Sequence, residues 1–186
     1  LAEQPVQLVI LDLGLPDLDG REVLRALRAF SPVPVLVLSV RASESEKVAL
    51  LDAGANDYVA KPFGMQELSA RLRVLLRQPV GADAAATFDD GKLRVDFSLR
   101  QAWLDGLPLA LSRKEWSLLA LLMQHAGQVV TQPQLLRQLW GPTHLDDTHY
   151  LRILAAKLRG KLGDDAAEPR YIATEPGVGL RFLGDG

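Results

Sequence analysis

Gln7-Leu8-Val9-Ile10-Leu11-Asp12 is a continuous apolar run that ends on a carboxylate, and two later stretches follow the same plan: Val33-Pro34-Val35-Leu36-Val37-Leu38-Ser39 and the shorter Tyr58-Val59-Ala60-Lys61. Apolar runs without polar alternation suit strands covered on both faces, as in a parallel sheet. Segments of helical period follow each of them, over residues 21–30, 44–53 and 65–76. Strand then helix, three times over, predicts a parallel α/β layer. Ligands of such sheets sit beyond the carboxyl ends of the strands, where Asp12, Ser39 and Lys61 stand. A carboxylate, a hydroxyl and an ammonium converging there make a nucleophile or metal ligand, an oxyanion partner and a charge stabiliser.

The composition changes at Gln78-Pro79-Val80-Gly81-Ala82-Asp83-Ala84-Ala85-Ala86-Thr87. Small residues and a proline without apolar periodicity mark a linker over 79–87, between a first domain at 1–78 and a second at 88–186. Beyond it come short alternating strands, with Asp90-Gly91 and Asp105-Gly106 as turn signals. Ser112-Arg113-Lys114-Glu115 is a capping box ahead of the apolar run 116–123, which Gly127 stops. Thr131 opens a second helix that ends at Trp140-Gly141-Pro142, and a third runs from Asp147 or Thr148 to Leu162, stopped by Gly163. Tyr171-Ile172-Ala173-Thr174, the turn Glu175-Pro176-Gly177 and Gly179-Leu180-Arg181-Phe182 then form a hairpin. Three helices followed by a hairpin predict a winged helix.

The 186 residues are 48% hydrophobic and 24% charged with a net charge of −2, which excludes a disordered tail and a fibrous repeat. With no cysteine, a disulfide scaffold, a thiolate zinc site and a Cys nucleophile are excluded, and a reducing compartment, the cytoplasm, is expected. The apolar runs are too short to cross a bilayer, so no membrane partner is expected. The near-neutral total hides one local excess: from His149 to Gly163 there are four cations and no acid. Helical periodicity puts Leu151, Leu154, Leu158 and Leu162 on one face and His149, Arg152, Ala156 and Arg159 on the other, with Lys157 and Lys161 at the sides. In the third helix before a hairpin, such a face suits a recognition helix in a DNA major groove.

Asp12-Leu13-Gly14-Leu15-Pro16-Asp17-Leu18-Asp19-Gly20, Ser39, Gly54-Ala55-Asn56-Asp57-Tyr58 and Lys61-Pro62-Phe63 resemble a bacterial response-regulator receiver domain. The resemblance implies that Asp12 accepts a phosphoryl group from a sensor histidine kinase, that Ser39 and Lys61 hold the phosphoryl oxygens, and that Tyr58 is the switch aromatic. It also implies Mg²⁺, with Asp12 and the Gly14 carbonyl as ligands, and a cis peptide before Pro62. The chain departs from the family in beginning at what would be the third strand. An acidic pair ahead of Asp12 is missing, since Glu3 is misplaced, so the Mg²⁺ site is incomplete. The expected fold is therefore α/β plus winged helix: an N-terminally truncated, CheY-like doubly wound parallel sheet keeping its last three βα units, then a winged helix-turn-helix. Poor or absent phosphorylation and an open apolar edge on strand 7–11 are expected with it.

Leu111-Ser112-Arg113-Lys114-Glu115-Trp116, Gly127-Gln128-Val129-Val130-Thr131, Trp140-Gly141 and Gly177-Val178-Gly179-Leu180-Arg181-Phe182 are similar to effector domains of the OmpR/PhoB type. That implies a transcription regulator binding double-stranded promoter DNA. Arg152 and His149 would reach base edges. Lys157, Arg159 and Lys161 would touch phosphates, and Thr174 and Arg181 would flank the wing. The family also implies a homodimer through the receiver, with Lys47, Asp57, Glu67, Arg71 and Arg73 forming intermolecular ion pairs. Two other classes compete with this reading. A phosphatase of the haloacid dehalogenase kind needs a second Asp where Gly14 stands, so no enzyme is expected. An interaction or decoy protein would bind a full-length regulator through Lys47, Asp57 and Arg71 without responding to phosphate.

Overall fold

A computed structural model describes residues 6–14, 19–40, 43–76, 87–145 and 147–184. They fall into two compact units that divide between Arg77 and Gln78. Of the expected linker, residues 79–86 lie outside the described residues, and Thr87 already opens a strand. Glu3 and the segment Leu15-Pro16-Asp17-Leu18 lie outside them too.

In the first unit β1 (Val9–Asp12), β2 (Val35–Ser39) and β3 (Asp57–Ala60) alternate with α1 (Gly20–Arg28), α2 (Glu44–Asp52) and α3 (Met65–Leu75). The sheet is parallel throughout, in the order β1-β2-β3. As the middle strand β2 is covered on both faces, and Val35, Leu36 and Val37 are fully buried. Edge position leaves β1 less covered, with Ile10 47% exposed among the described residues. The apolar edge expected for strand 7–11 is therefore present in these residues. Leu36, Val59 and Leu75 form the core beneath α3, with Phe63, Leu68 and Leu72 packed on it. Helix starts follow the local chemistry: the Asp19 carboxylate accepts from Arg21 N–H, and the Ser43 hydroxyl from Glu46 N–H.

The amino end of this sheet is held by one side chain. Arg28 donates to the carbonyls of Gly54 (2.8 Å), Ser31 (3.0 Å) and Val33 (2.8 Å) and to Asn56 Oδ1 (2.9 Å). Asn56 Oδ1 also accepts from Val35 N–H at 2.8 Å, so a single cluster ties the end of α1, the entry to β2 and the entry to β3. All the acceptors are neutral, and burial holds the guanidinium below its ordinary pKa.

The second unit opens with an antiparallel sheet in the order β4 (Thr87–Asp89), β5 (Leu93–Asp96), β6 (Gln101–Leu104), β7 (Leu107–Pro108). Asp105 and Gly106 both take positive φ, 51° and 78°, as the expected hairpin between β6 and β7 requires. Then come α4 (Arg113–Gln124), β8 (Val129–Thr131), α5 (Gln132–Trp140), a short 3-10 turn (Pro142–His144), α6 (Thr148–Leu162), β9 (Ile172–Glu175) and β10 (Gly179–Phe182). The capping box at Ser112 and Glu115 is formed, and Thr131 with Gln134 makes a second. The closing hairpin is wider than expected, because β8 adds a third strand in the order β8-β10-β9. Gly179 permits that pairing: a side chain there would run into the Val130 carbonyl.

Leu118, Leu119, Leu122, Leu135, Leu136, Leu158 and Leu162 fill the core of this unit with Phe182 and Tyr171. Tyr171 stacks on Phe182 with centroids 6.2 Å apart, and its hydroxyl donates to Asp90 Oδ2 at 3.0 Å. Burial first, then the Asp90 carboxylate, raises the phenol to about 12.

Replacing Arg28 with Met should destabilise the first unit by about 1–3 kcal/mol, because half-buried carbonyls lose their donor. Trp103, Trp116 and Trp140 all lie in the second unit, so urea unfolding followed by far-UV CD and by tryptophan fluorescence separates the two. An early CD transition with unchanged fluorescence is expected, and identical CD curves for both proteins would contradict the clamp.

Candidate functional site

The carboxyl ends of the three parallel strands carry Asp12, Ser39 and, one residue beyond β3, Lys61. The ladder sets their level: Leu13 N–H donates to the Leu38 carbonyl at 2.9 Å, and Lys61 N–H to the Ser39 carbonyl at 2.8 Å. Lys61 Nζ reaches Asp12 Oδ2 at 2.5 Å, and Gly14 N–H reaches Asp12 Oδ1 at 2.8 Å. Both carboxylate oxygens thus accept a hydrogen bond. First the Lys61 ammonium and then the Gly14 N–H hold the Asp12 carboxyl below its ordinary pKa, so it is anionic at neutral pH. A Cβ at position 14 would lie 3.1 Å from Asp12 Oδ1. Glycine therefore keeps the carboxylate approachable. Ser39 is buried at the end of the middle strand, and the peptide between Lys61 and Pro62 is cis, as the resemblance implied.

The donors among the described residues do not fit Mg²⁺. The ion takes near-octahedral oxygen coordination, with one or two carboxylates as a rule. Here one carboxylate is committed to Lys61 and Gly14, and no cluster of three or more His, Asp or Glu side chains exists among the described residues.

Tyr58 lies inward on β3, only 7% exposed, with Lys47 Nζ 4.8 Å from its ring centroid. The charges expected to face a partner chain divide differently. Asp57 is fully buried, and Arg71 of α3 donates to its two oxygens at 2.9 and 3.2 Å within the same chain. Arg71 also grips Glu67 Oε1 at 3.1 Å, one helical turn away. Within one chain, Asp57 is therefore paired with Arg71 of its own α3. Glu67 and Arg73 are exposed and Lys47 is half-buried.

In the second unit the leucine face of α6 lies inward as its periodicity predicts: Leu151, Leu154, Leu158 and Leu162 are buried, with Ala155 between them. His149, Arg152, Ala156 and Lys157 are exposed on the outer side. Three further cations assigned to the DNA face are engaged inside the unit. Arg159 donates to the Ile172 carbonyl at 3.1 and 2.9 Å and to Thr174 Oγ1 at 2.7 Å. Lys161 donates to the Ala110 carbonyl and to Glu115 Oε2, both at 2.6 Å. Arg181 is only 8% exposed and binds the Gly127 carbonyl at 2.6 Å and Glu175 Oε1 at 3.1 Å. β10 lies in the middle of its sheet and turns this side chain inward. Arg159 and Lys161 are thus partly engaged by neighbouring elements, while Arg159 also lines the cleft beside α6 and the Lys161 side chain stays 38% exposed. Thr174 stays exposed.

A cleft of about 300 Å³ runs between α6 and the β9–β10 turn, lined by Arg152, Ala155, Thr174 and Gly177 together with Gln132 and Thr148. The last two had not been singled out from sequence. Each is the first residue of its helix, where backbone N–H groups point outward, so the helix starts themselves were the available signal.

Replacing Lys61 with Met should raise the Asp12 titration midpoint, because the largest of the interactions lowering it is removed. Carboxyl-carbon NMR on the full chain reads both proteins directly. The wild-type midpoint should lie below the ordinary aspartate value, and a midpoint that does not move on substitution would count against the ion pair.

The comparisons agree in both halves. Residues 1–73 match the response regulator receiver domain, and residues 106–182 match the C-terminal domain of transcriptional regulatory proteins. The chain is 49% identical over 185 residues to the KDP operon transcriptional regulatory protein KdpE of Escherichia coli (strain K12), covering 98% of this chain and 81% of that one. Identity to the transcriptional regulatory protein KdpE of Mycobacterium tuberculosis (strain ATCC 25618 / H37Rv) is 44% over 183 residues, with 97% and 81% coverage. To the sensory transduction protein RegX3 of Mycolicibacterium smegmatis (strain ATCC 700084 / mc(2)155) it is 39% over 181 residues, with 95% and 79% coverage. The two KdpE relatives are named as transcriptional regulatory proteins, and no described helix is long and apolar enough to cross a membrane. The chain belongs to the OmpR/PhoB-type response regulators: it is a two-component response regulator, similar to KdpE, with a receiver domain and a DNA-binding winged-helix effector domain.

Proposed function

We propose that α6 enters the major groove of double-stranded promoter DNA, with His149 and Arg152 on base edges and Lys157 on a phosphate. The supporting observation is the exposed, acid-free face His149, Arg152, Ala156 and Lys157 opposite the buried leucines. Arginine bonded to a guanine edge contributes about 1–3 kcal/mol of discrimination. Thr174 borders the same cleft and serves as the backbone contact of the wing.

The receiver carries the input. Asp12, anionic and facing Lys61, is the group that takes the phosphoryl from a sensor histidine kinase: the P–N bond of the phosphohistidine breaks as a P–O bond to Asp12 forms. Lys61 then shifts its charge from carboxylate to phosphoryl oxygens, and Ser39 donates its hydroxyl. Tyr58 is the aromatic that reports the change. Mg²⁺, expected for the family, has no adequate donor set in the described residues, so phosphorylation is slow. Two copies pair through the receivers, with Lys47, Glu67 and Arg73 on the outer rim and the Asp57–Arg71 pair stiffening the wall behind them. Exposed ion pairs contribute only about 0–1 kcal/mol each, so they set orientation and partner choice more than affinity. A linker at 79–86 between domains at 1–78 and 87–186, and a cytoplasmic setting, complete this reading.

Gel shifts with promoter fragments at physiological salt test the DNA reading. Arg152→Ala should flatten base preference at one position. Lys157→Ala should weaken all sequences alike and reduce the salt slope by about 0.9. Equal, sequence-blind losses for both would sink this division of roles. On the receiver side, a small phosphodonor with Mg²⁺ should leave Asp12 essentially unmodified in intact-mass spectra, and robust labelling would overturn the slow-phosphorylation reading.

A further inference from the structure

Lys161 stands in the last turn of the recognition helix, where an ammonium is ordinarily counted among the phosphate contacts. Its surroundings say otherwise. The ammonium donates to Glu115 Oε2 and to the Ala110 carbonyl, both at 2.6 Å. Glu115 Oε2 also accepts from Ser112 N–H at 2.6 Å, while Glu115 N–H donates to Ser112 Oγ at 3.3 Å. The carboxylate that closes the capping box of α4 is therefore the same one that receives the end of α6. The Glu115 side chain is only 5% exposed, so the pair is partly shielded from water and salt. Burial pushes the Glu115 carboxyl up, but Lys161 and the Ser112 backbone more than offset this and hold it below its ordinary range. The Lys161 side chain is 38% exposed, so it is the Glu115 end of the pair that is shielded.

The rest of α6 shows why this end matters. Its N-cap, Asp147, makes no side-chain capping bond, whereas its last turns are tied down three ways. Lys161 binds the start of α4, Arg159 binds β9, and Asp164, just past the helix, accepts the backbone N–H of Arg170, Tyr171 and Ile172. Position 149 is twelve residues from position 161, about 18 Å along the axis at 1.5 Å per residue. A tilt of a few degrees at the anchored end therefore moves the base-reading end by about 1 Å, enough to spoil a bidentate hydrogen bond.

We propose that Lys161 is a positioning residue rather than a DNA contact: with Glu115 it forms a lock that fixes the pitch of the recognition helix against the capped start of α4. This rests on the DNA-binding reading of α6. Lys161 thus adds to affinity by holding His149 and Arg152 in register, and it neutralises no phosphate.

The test uses the full chain with Lys161→Met, Glu115→Gln, the double variant, and Lys157→Met as a phosphate-contact control. Promoter affinity is measured across a salt series, and urea unfolding is followed by tryptophan fluorescence. Lys161→Met and Glu115→Gln should each lower affinity about 3- to 10-fold, with the double variant little worse than either. Their salt slopes should match wild type, whereas Lys157→Met should lose about 0.9. The unfolding cycle, which involves no DNA, should show the same coupling between positions 115 and 161. If Lys161→Met loses slope as Lys157→Met does while Glu115→Gln keeps wild-type affinity, Lys161 is a phosphate contact and the lock is wrong. Additive effects in the unfolding cycle also overturn it, even for protein that binds no promoter. Failure of the wild type to prefer any sequence, with coupling intact, instead overturns the DNA reading on which the functional half rests.

Discussion

Burial of the leucine stripe on α6 is the constraint from which the functional surface of the second unit follows. Leu151, Leu154, Leu158 and Leu162 must leave water together, and with 3.6 residues per turn that fixes which residues remain outside. Each fully buried leucine contributes about 1.5–3 kcal/mol relative to exposure, far more than any surface charge could offset. The rotation of the helix is therefore decided by apolar packing, and His149, Arg152 and Lys157 are carried to the surface as its consequence. The same logic governs the first unit. Because β2 is buried on both faces, the chain can place chemistry only where strands end, and Asp12, Ser39 and Lys61 are the residues found there.

Patterns repeating along the chain were readable, and pairings across it were not. The apolar runs gave three parallel strands, and Ser112 with Glu115 marked the start of α4. Strand β8 escaped notice because Val129, Val130 and Thr131 are too few to display alternation, and its existence depends on Gly179 coming close enough to pair. The partners of charged side chains are hidden for a related reason. Periodicity assigns Arg159 and Lys161 to faces, but cannot say that Ile172 and Glu115 come within bonding distance of them. Asp57 and Arg71 lie fourteen positions apart, beyond any helical or strand repeat, and only the packing of α3 over β3 brings them together.

The Asp12 environment shows how two cations can play different parts on similar geometry. Lys61 faces a carboxylate that is 36% exposed, the partner it would exchange for another anion in the proposed phosphoryl transfer. Lys161 faces a carboxylate that is buried and already bonded to a backbone N–H, so its partner is fixed. Solvent access to the acid, rather than the distance between the charges, separates the exchangeable pair from the permanent one.

Arg28 gives the two ends of the parallel sheet unequal freedom. One guanidinium and one asparagine bind the entries of β2 and β3 to the exit of α1, using backbone carbonyls that every sequence possesses. Most of those acceptors are indifferent to side-chain identity, but Gly54 is constrained as well, because its φ is +107° and a Cβ there would lie 2.8 Å from Arg28 Cγ. Substitutions at the opposite end can therefore accumulate without loosening the frame. A sheet built this way separates what holds it together from what it recognises, so that new input chemistry can be tried at one rim while the other keeps the strands in step.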